Sequence, residues 1–240
     1  MTKRVISVFL CALCVISSFS FTVSAKENKE YTSDNFLSVA DGIIAWKKAD
    51  NGSEPDGYLI NDKYLEKAGT TPGDWYPIAL GRLGIQDNNE GYLAVIKDRV
   101  EERYRESGRL SAAKATEWHR IALAVLAMGG DPTNFGTDEN GAPINLISDG
   151  TYDRGKTTPL GRQGINGWIW GLITLDSMRY AVPDGAYNTR DDIIVDIISK
   201  QLSDGGFDLS SHDADPDITS MAITALAPYY NSEKIYSYHR

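Results

Sequence analysis

Cysteine is almost missing from this 240-residue chain: Cys11 and Cys14 are the whole supply. Both lie in an N-terminal stretch that reads as an export signal, with Lys3 and Arg4 ahead of an apolar run from Val5 to Phe21 and small residues, Val23-Ser24-Ala25, at a cleavage position. Neither cysteine follows the small residue that a lipoprotein acceptor requires. The expected mature chain, from about Lys26, therefore has no thiol, which excludes a disulfide framework, a cysteine nucleophile and a thiolate zinc site. Its stability has to come from packing, and about 215 residues suffice for one substantial core.

Basic charge is scarce too. Without Lys3 and Arg4, 22 Lys and Arg face 33 Asp and Glu, a net charge of −11. The stretch from Arg99 to Arg109 concentrates bases, but its signs alternate as on a solvated helix face. Nucleic acid and anionic membranes are thus poor partners, and membrane contact is expected only through the export signal or domains not in this chain. The expected location is secreted or cell-surface. Of the three histidines, His119, His212 and His239, no two stand at ligand spacing, so no metal site is expected; His212 beside Asp213 and Asp215 reads as a solvated loop.

What the chain does have is an internal repeat. Four ten-residue segments align without gaps: Asp74–Leu83 (DWYPIALGRL), Glu117–Leu126 (EWHRIALAVL), Asn166–Leu175 (NGWIWGLITL) and Asp217–Leu226 (DITSMAITAL). Each opens on a polar or acidic residue, has a small residue at its sixth position (Ala79, Ala122, Gly171, Ala222) and ends on Leu. The recurring small residue predicts close helix–helix approach, and the apolar surround predicts burial. Between them lie amphipathic segments, Phe36–Lys48, Asn89–Tyr104 and Thr189–Leu202, with Ile193, Ile194, Ile197, Ile198 and Leu202 on one stripe of the last. From Ala127 to Gly164 the pattern is poor, and only a short helix near Pro143–Ser148 is expected there. Gly84, Gly129-Gly130 and Pro228 stop the repeated helices. Periodicity alone leaves an open superhelix and a closed ring as alternatives.

The final repeat, Gln201-Leu-Ser-Asp204-Gly205-Gly206-Phe207 followed by Asp215-Pro-Asp217-Ile-Thr219-Ser-Met-Ala222, resembles a repeat of the terpenoid cyclase and protein prenyltransferase superfamily. Weaker echoes of its turn stand at Asp56-Gly57-Tyr58, Asp149-Gly150-Thr151-Tyr152 and Asp184-Gly185-Ala186-Tyr187. The chain is most similar in kind to exported bacterial members, which in turn resemble the helical domain of transcobalamins. The resemblance implies an all-α fold, an α/α toroid of helical hairpins, with about four of six hairpins present over residues 33–240, after a signal at 1–25 and a linker at 26–32. It also implies a central cavity and, by similarity, a corrinoid or isoprenoid-like ligand.

Candidate residues follow from the repeat. Asp215 and Asp217 match the first and middle carboxylates of the proton-donating motif of cyclases when aligned on Thr219, but Ile218 replaces the third. The same residues also make an ordinary helix start: Asp215 as N-cap, Pro216 first, Asp217 in the first turn. Asp74 and Glu117 open equivalent helices, so with Asp217 they are expected as an acidic ring at one rim, or each as a favourable charge at a helix start. Trp75, Tyr76, Trp118, His119, Trp168 and Trp170 cluster in first turns, where they form either an aromatic ligand wall or interhelical packing. The leading expectation is an extracellular domain that binds a small molecule in an aromatic, acid-rimmed cavity. A protonating cyclase or glycan-acting enzyme using Asp217, and a surface adhesion module, are the alternatives.

Overall fold

The computed structural model describes residues 32–231 except 157 and 211, so the export signal and all but the end of the 26–32 linker lie outside the described residues. The fold is all-α; among the described residues there is no strand, and one isolated bridge pairs Thr137 with Pro143. The chain divides into two compact units, residues 1–46 and 47–240. Helix α1 (Ser33–Asn51) supplies the described part of the first, where Phe36, Val39 and Ile43 stand exposed.

The second unit carries α2 (Asp62–Leu65), α3 (Thr71–Leu83), α4 (Asn89–Ser107), α5 (Ala115–Ala127), a π-helical turn (Ser148–Tyr152), a 3-10 turn (Arg154–Lys156), α6 (Asn166–Ser177), α7 (Arg190–Ile198), α8 (Pro216–Leu226) and a closing 3-10 turn (Ala227–Tyr229). The four repeated segments are helices α3, α5, α6 and α8, and they pack in that order, α5 between α3 and α6, and α6 between α5 and α8. Neighbours run parallel with a constant shift. Asp74, first in its repeat, meets Arg120, fourth in the next, and His119, third in its repeat, lies against Gly171, sixth in the one after.

The close approach predicted for the small residues holds at Ala122, Gly171 and Ala222, which are buried. At Ala79 it does not. That residue is exposed, because in the row α3 is flanked by α5 alone, and the tight contact falls two residues later: a Cβ on Gly81 would stand 2.1 Å from the Ala127 carbonyl oxygen.

The amphipathic segments form α4 and α7. On α4, Tyr92, Ile96, Val100 and Tyr104 recur every fourth residue and are all buried. The charged stretch from Arg99 is therefore solvated on one face only, and Arg99 itself reaches back to the Ala68 and Glu66 carbonyls. Helix α7 starts at a capping box between Thr189 and Asp192. The short helix expected at Pro143–Ser148 falls later, at the π turn, because the Asn145 side chain accepts from the Ile147 and Ser148 amides and so ends the loop there. Gly150 lets this turn close on α5, since a Cβ there would stand 2.7 Å from Trp118 Cβ.

Candidate functional site

The four repeat-opening residues do not share one level of their helices. Asp74 is the fourth residue of α3, Glu117 the third of α5, Asn166 the first of α6 and Asp217 the second of α8. Their surroundings differ as well, because different segments of chain pack against each helix start. Asp74 points inward and is fully buried. It accepts from the Gly69 amide at 2.7 Å, the Tyr92 hydroxyl at 2.7 Å and Arg120 Nε at 2.8 Å. Burial pushes its carboxyl up while those donors pull it down. Glu117 is half-buried, accepting from the Ser111 amide at 2.7 Å and pairing with Arg103 at 3.3 Å. Asp217 is exposed. The acidic ring is not assembled.

Asp215 caps α8, accepting from the Ile218 amide at 2.9 Å, and its own amide donates to the Phe207 carbonyl at 2.9 Å. Thr219 accepts from the Phe207 amide at 2.9 Å. Gly205 takes the left-handed conformation at φ 89°, and the Gln201 side chain donates to its carbonyl at 2.9 Å. The conspicuous residues of this repeat thus pin a turn to the start of a helix.

The aromatics separate into groups. Trp75, on α3, and Trp170, on α6, meet with ring centroids 5.3 Å apart across α5. Tyr76 stands edge-on to Tyr64 and under the Lys47 ammonium, 5.6 Å from the ring. Trp168, with Lys200 and Asp208, lines a hollow of about 130 Å³. Trp118 and His119 go elsewhere, to the place where the π turn closes on the start of α5.

There the structure forms a pocket of about 220 Å³ lined by Gly108, Arg109, Trp118, Asp149, Asp153, Arg154 and Thr158. Trp118 is buried, donates from Nε1 to the Ser111 carbonyl at 3.0 Å, and meets Tyr104 edge-on at 5.8 Å. The Tyr104 hydroxyl donates to Asp149 at 2.7 Å. Burial drives the Asp149 carboxyl up, and the Asp153 charge adds to that push against the Tyr104 hydrogen bond. Asp153, exposed, accepts from Ser148 Oγ at 2.6 Å. Arg154, only 6% exposed, places its guanidinium 5.6 Å from the Trp118 ring and donates from Nη2 to the Ser111 and Ala112 carbonyls at 3.1 and 3.0 Å. Burial, helped by the charge of Arg109, brings its pKa down to about 10. Behind this wall His119 is fully buried; Nε2 carries the hydrogen, since its partner at 3.0 Å is the Gly150 carbonyl, and desolvation lowers its pKa to about 3.

A second hollow, about 530 Å³, lies beside the end of α6. Most of its polar groups bind one another: Arg190 pairs with Asp176 at 2.9 Å and donates to the Leu175 and Tyr180 carbonyls, and Tyr229 donates to Asp176 at 2.7 Å, while Arg179 stands exposed at its edge. The 220 Å³ pocket differs in that its arginine without an ion pair, Arg154, is buried. Among the described residues, no three His, Cys, Asp or Glu are grouped to hold a metal ion, and no helix is long and apolar enough to cross a membrane.

Reading the repeats pointed to Trp118 and His119 but missed Tyr104, Arg109, Asp149, Asp153 and Arg154. Asp149-Gly150 stood out as a turn echo, and its spacing to Asp153 is one helical turn. Nothing in the linear pattern places that turn against Trp118. No family model matches the chain, and neither a curated protein nor a solved structure matches it.

Proposed function

We propose that this chain is an exported, small-molecule-binding domain of the α/α-toroid type, and that its ligand site is the pocket at the start of α5. The toroid reading is supported by the parallel row of repeated helices and by the Trp75–Trp170 contact, which joins the first and third members of the row across the second. The binding reading rests on one observation: a buried arginine with no ion pair among the described residues, a half-buried carboxyl and an aromatic ring converge on one pocket. Such groups are costly to bury and are retained where a ligand uses them.

The volume, about 220 Å³, suits one small ring or an amino-acid-sized molecule, and a corrinoid or polyprene needs a far larger chamber. Native mass spectrometry of protein purified from its own culture medium tests the reading. A retained small molecule, lost on Trp118→Ala or Asp149→Leu substitution in protein with unchanged far-UV circular dichroism, is the expected result. Retention that these changes leave intact moves the site elsewhere.

A second reading has its own observation. Asp149 and Asp153 stand four residues apart, one half-buried with its pKa raised and one exposed, which is how an acid and a base are set apart. A glycan-acting enzyme built on this pair, and not on Asp217, loses turnover of an oligosaccharide in Asp149→Asn and keeps it in Asp217→Asn.

A further inference from the structure

Arg154 is buried and forms no ion pair among the described residues; the Glu117 charge acts on it only at longer range. Its Nη2 is committed to the Ser111 and Ala112 carbonyls and its Nε is sealed inside the wall, so Nη1, which makes no hydrogen bond among the described residues, is the donor left at the pocket. The carboxylates nearby are each held by other donors: Asp149 by the Tyr104 hydroxyl, Asp153 by Ser148, Glu117 by the Ser111 amide and Arg103. Arg109 brings a second positive charge to the same pocket. A guanidinium taken out of water with no carboxylate in contact carries a desolvation cost, which the Glu117 charge at longer range and the face of Trp118 offset only in part.

We infer that the pocket is built for an oxyanion, a carboxylate or phosphate borne by a small ligand, which Arg154 receives on Nη1. This deepens the binding reading and rests on it. Guanidinium is suited to the role because its charge is permanent and its N–H groups are fixed in a plane, so a carboxylate or phosphate meets both charge and direction. The other walls suit the rest of such a molecule. Thr158 offers a hydrogen bond to a hydroxyl group, and the Asp149 carboxyl, held in place by the Tyr104 hydroxyl, accepts one. In about 220 Å³ there is room for a single acidic sugar ring or for a free phosphate group.

The decisive experiment is calorimetric titration of the mature chain with sodium galacturonate, galactose and inorganic phosphate at constant ionic strength. Galacturonate or phosphate is expected to bind, and galactose at least about tenfold more weakly. A preference for galacturonate over phosphate assigns the oxyanion to a sugar acid, and the reverse to a phosphate. Arg154→Gln, with circular dichroism unchanged, is expected to weaken the favoured probe by about tenfold to a hundredfold. If that variant does not fold, Arg109→Gln takes its place with a loss of several-fold. Galactose binding as tightly as galacturonate, or Arg154→Gln binding the favoured probe like the parent, overturns the oxyanion role but leaves the pocket as a binding site. A neutral molecule retained in the native mass spectrum has the same meaning. No heat with any probe, together with no retained molecule, overturns both.

Discussion

Two triads of the same composition hang from one helix, and they behave in opposite ways. At one end of α4, Tyr92 donates to buried Asp74 at 2.7 Å and Arg120 closes on the same carboxylate at 2.8 Å. Toward the other end, Tyr104 donates to half-buried Asp149 at 2.7 Å, yet Arg154 turns to Trp118 and to two carbonyls and pairs with no carboxylate among the described residues. The first triad is closed: Arg120 also holds Thr71 and the Gly69 carbonyl, and so ties α5 to the entrance of α3. The second is open at a pocket. A tyrosine, an aspartate and an arginine brought together are thus neither a staple nor a site by composition; the side on which the arginine makes its bonds decides.

The sharpest way to break the comparison is to remove each arginine in turn. Arg120→Met leaves Asp74 buried without its cation and is expected to cost about 3–5 kcal/mol, read as a lower urea midpoint. Arg154→Met removes a buried charge that no carboxylate touches and loses two bonds to carbonyls, so its net cost is expected below about 1.5 kcal/mol. Equal losses erase the distinction between the triads. Next comes the seam that the closed triad secures: Gly81→Ala forces α3 away from the Ala127 carbonyl and is expected to cost roughly 1–3 kcal/mol by the same measurement.

Protonation tests the buried wall behind the open triad. The folded-state pKa of His119, about 3, lies below its ordinary 6.5, so the unfolded chain takes the proton first as the pH falls. Its contribution to stability is intact above pH 6.5 and is lost between pH 6.5 and 3, at about 1.4 kcal/mol per unit. Asp74 and Asp149 are raised by burial and act in the opposite sense. The slope is therefore read as the difference between the parent and His119→Gln, which is expected to lack it. The smallest effects belong to the end of the row. Asp215→Ala loses a cap, about 1 kcal/mol, whereas Asp217→Asn leaves the unfolding midpoint where it was.

Most of the helical architecture was legible before any packing was known. Helices α3, α5, α6 and α8 overlie the four repeats, Gly84 ends the first in the left-handed conformation, and the Ile193, Ile194 and Ile197 stripe of α7 is buried. These are local matters, set by side-chain period, capping and backbone freedom. The close approach was legible in kind but misplaced at the first repeat, since Ala79 has a neighbour only if another helix precedes α3 in the row.

The candidate site was legible only in Trp118 and His119. The rest of it comes from the tail of α4, the π turn and Arg154, separated by some forty residues of chain, and no periodicity links them. The acidic ring failed for a related reason: Tyr92, Arg120 and the Gly69 amide close over Asp74, whereas Asp217 lies exposed, and none of those partners is readable from the repeat.

What the sequence determined alone is the place of the four repeated helices and of the amphipathic helices between them, and the absence of thiol chemistry from the expected mature chain, because each depends on neighbours within a turn or on composition. What only tertiary structure decided is the fate of each charged group. Whether Asp74 is sealed, Asp217 solvated or Arg154 left with free donors depends on what a distant segment brings within 3 Å, and in a low-dielectric interior that distance outweighs the residue type.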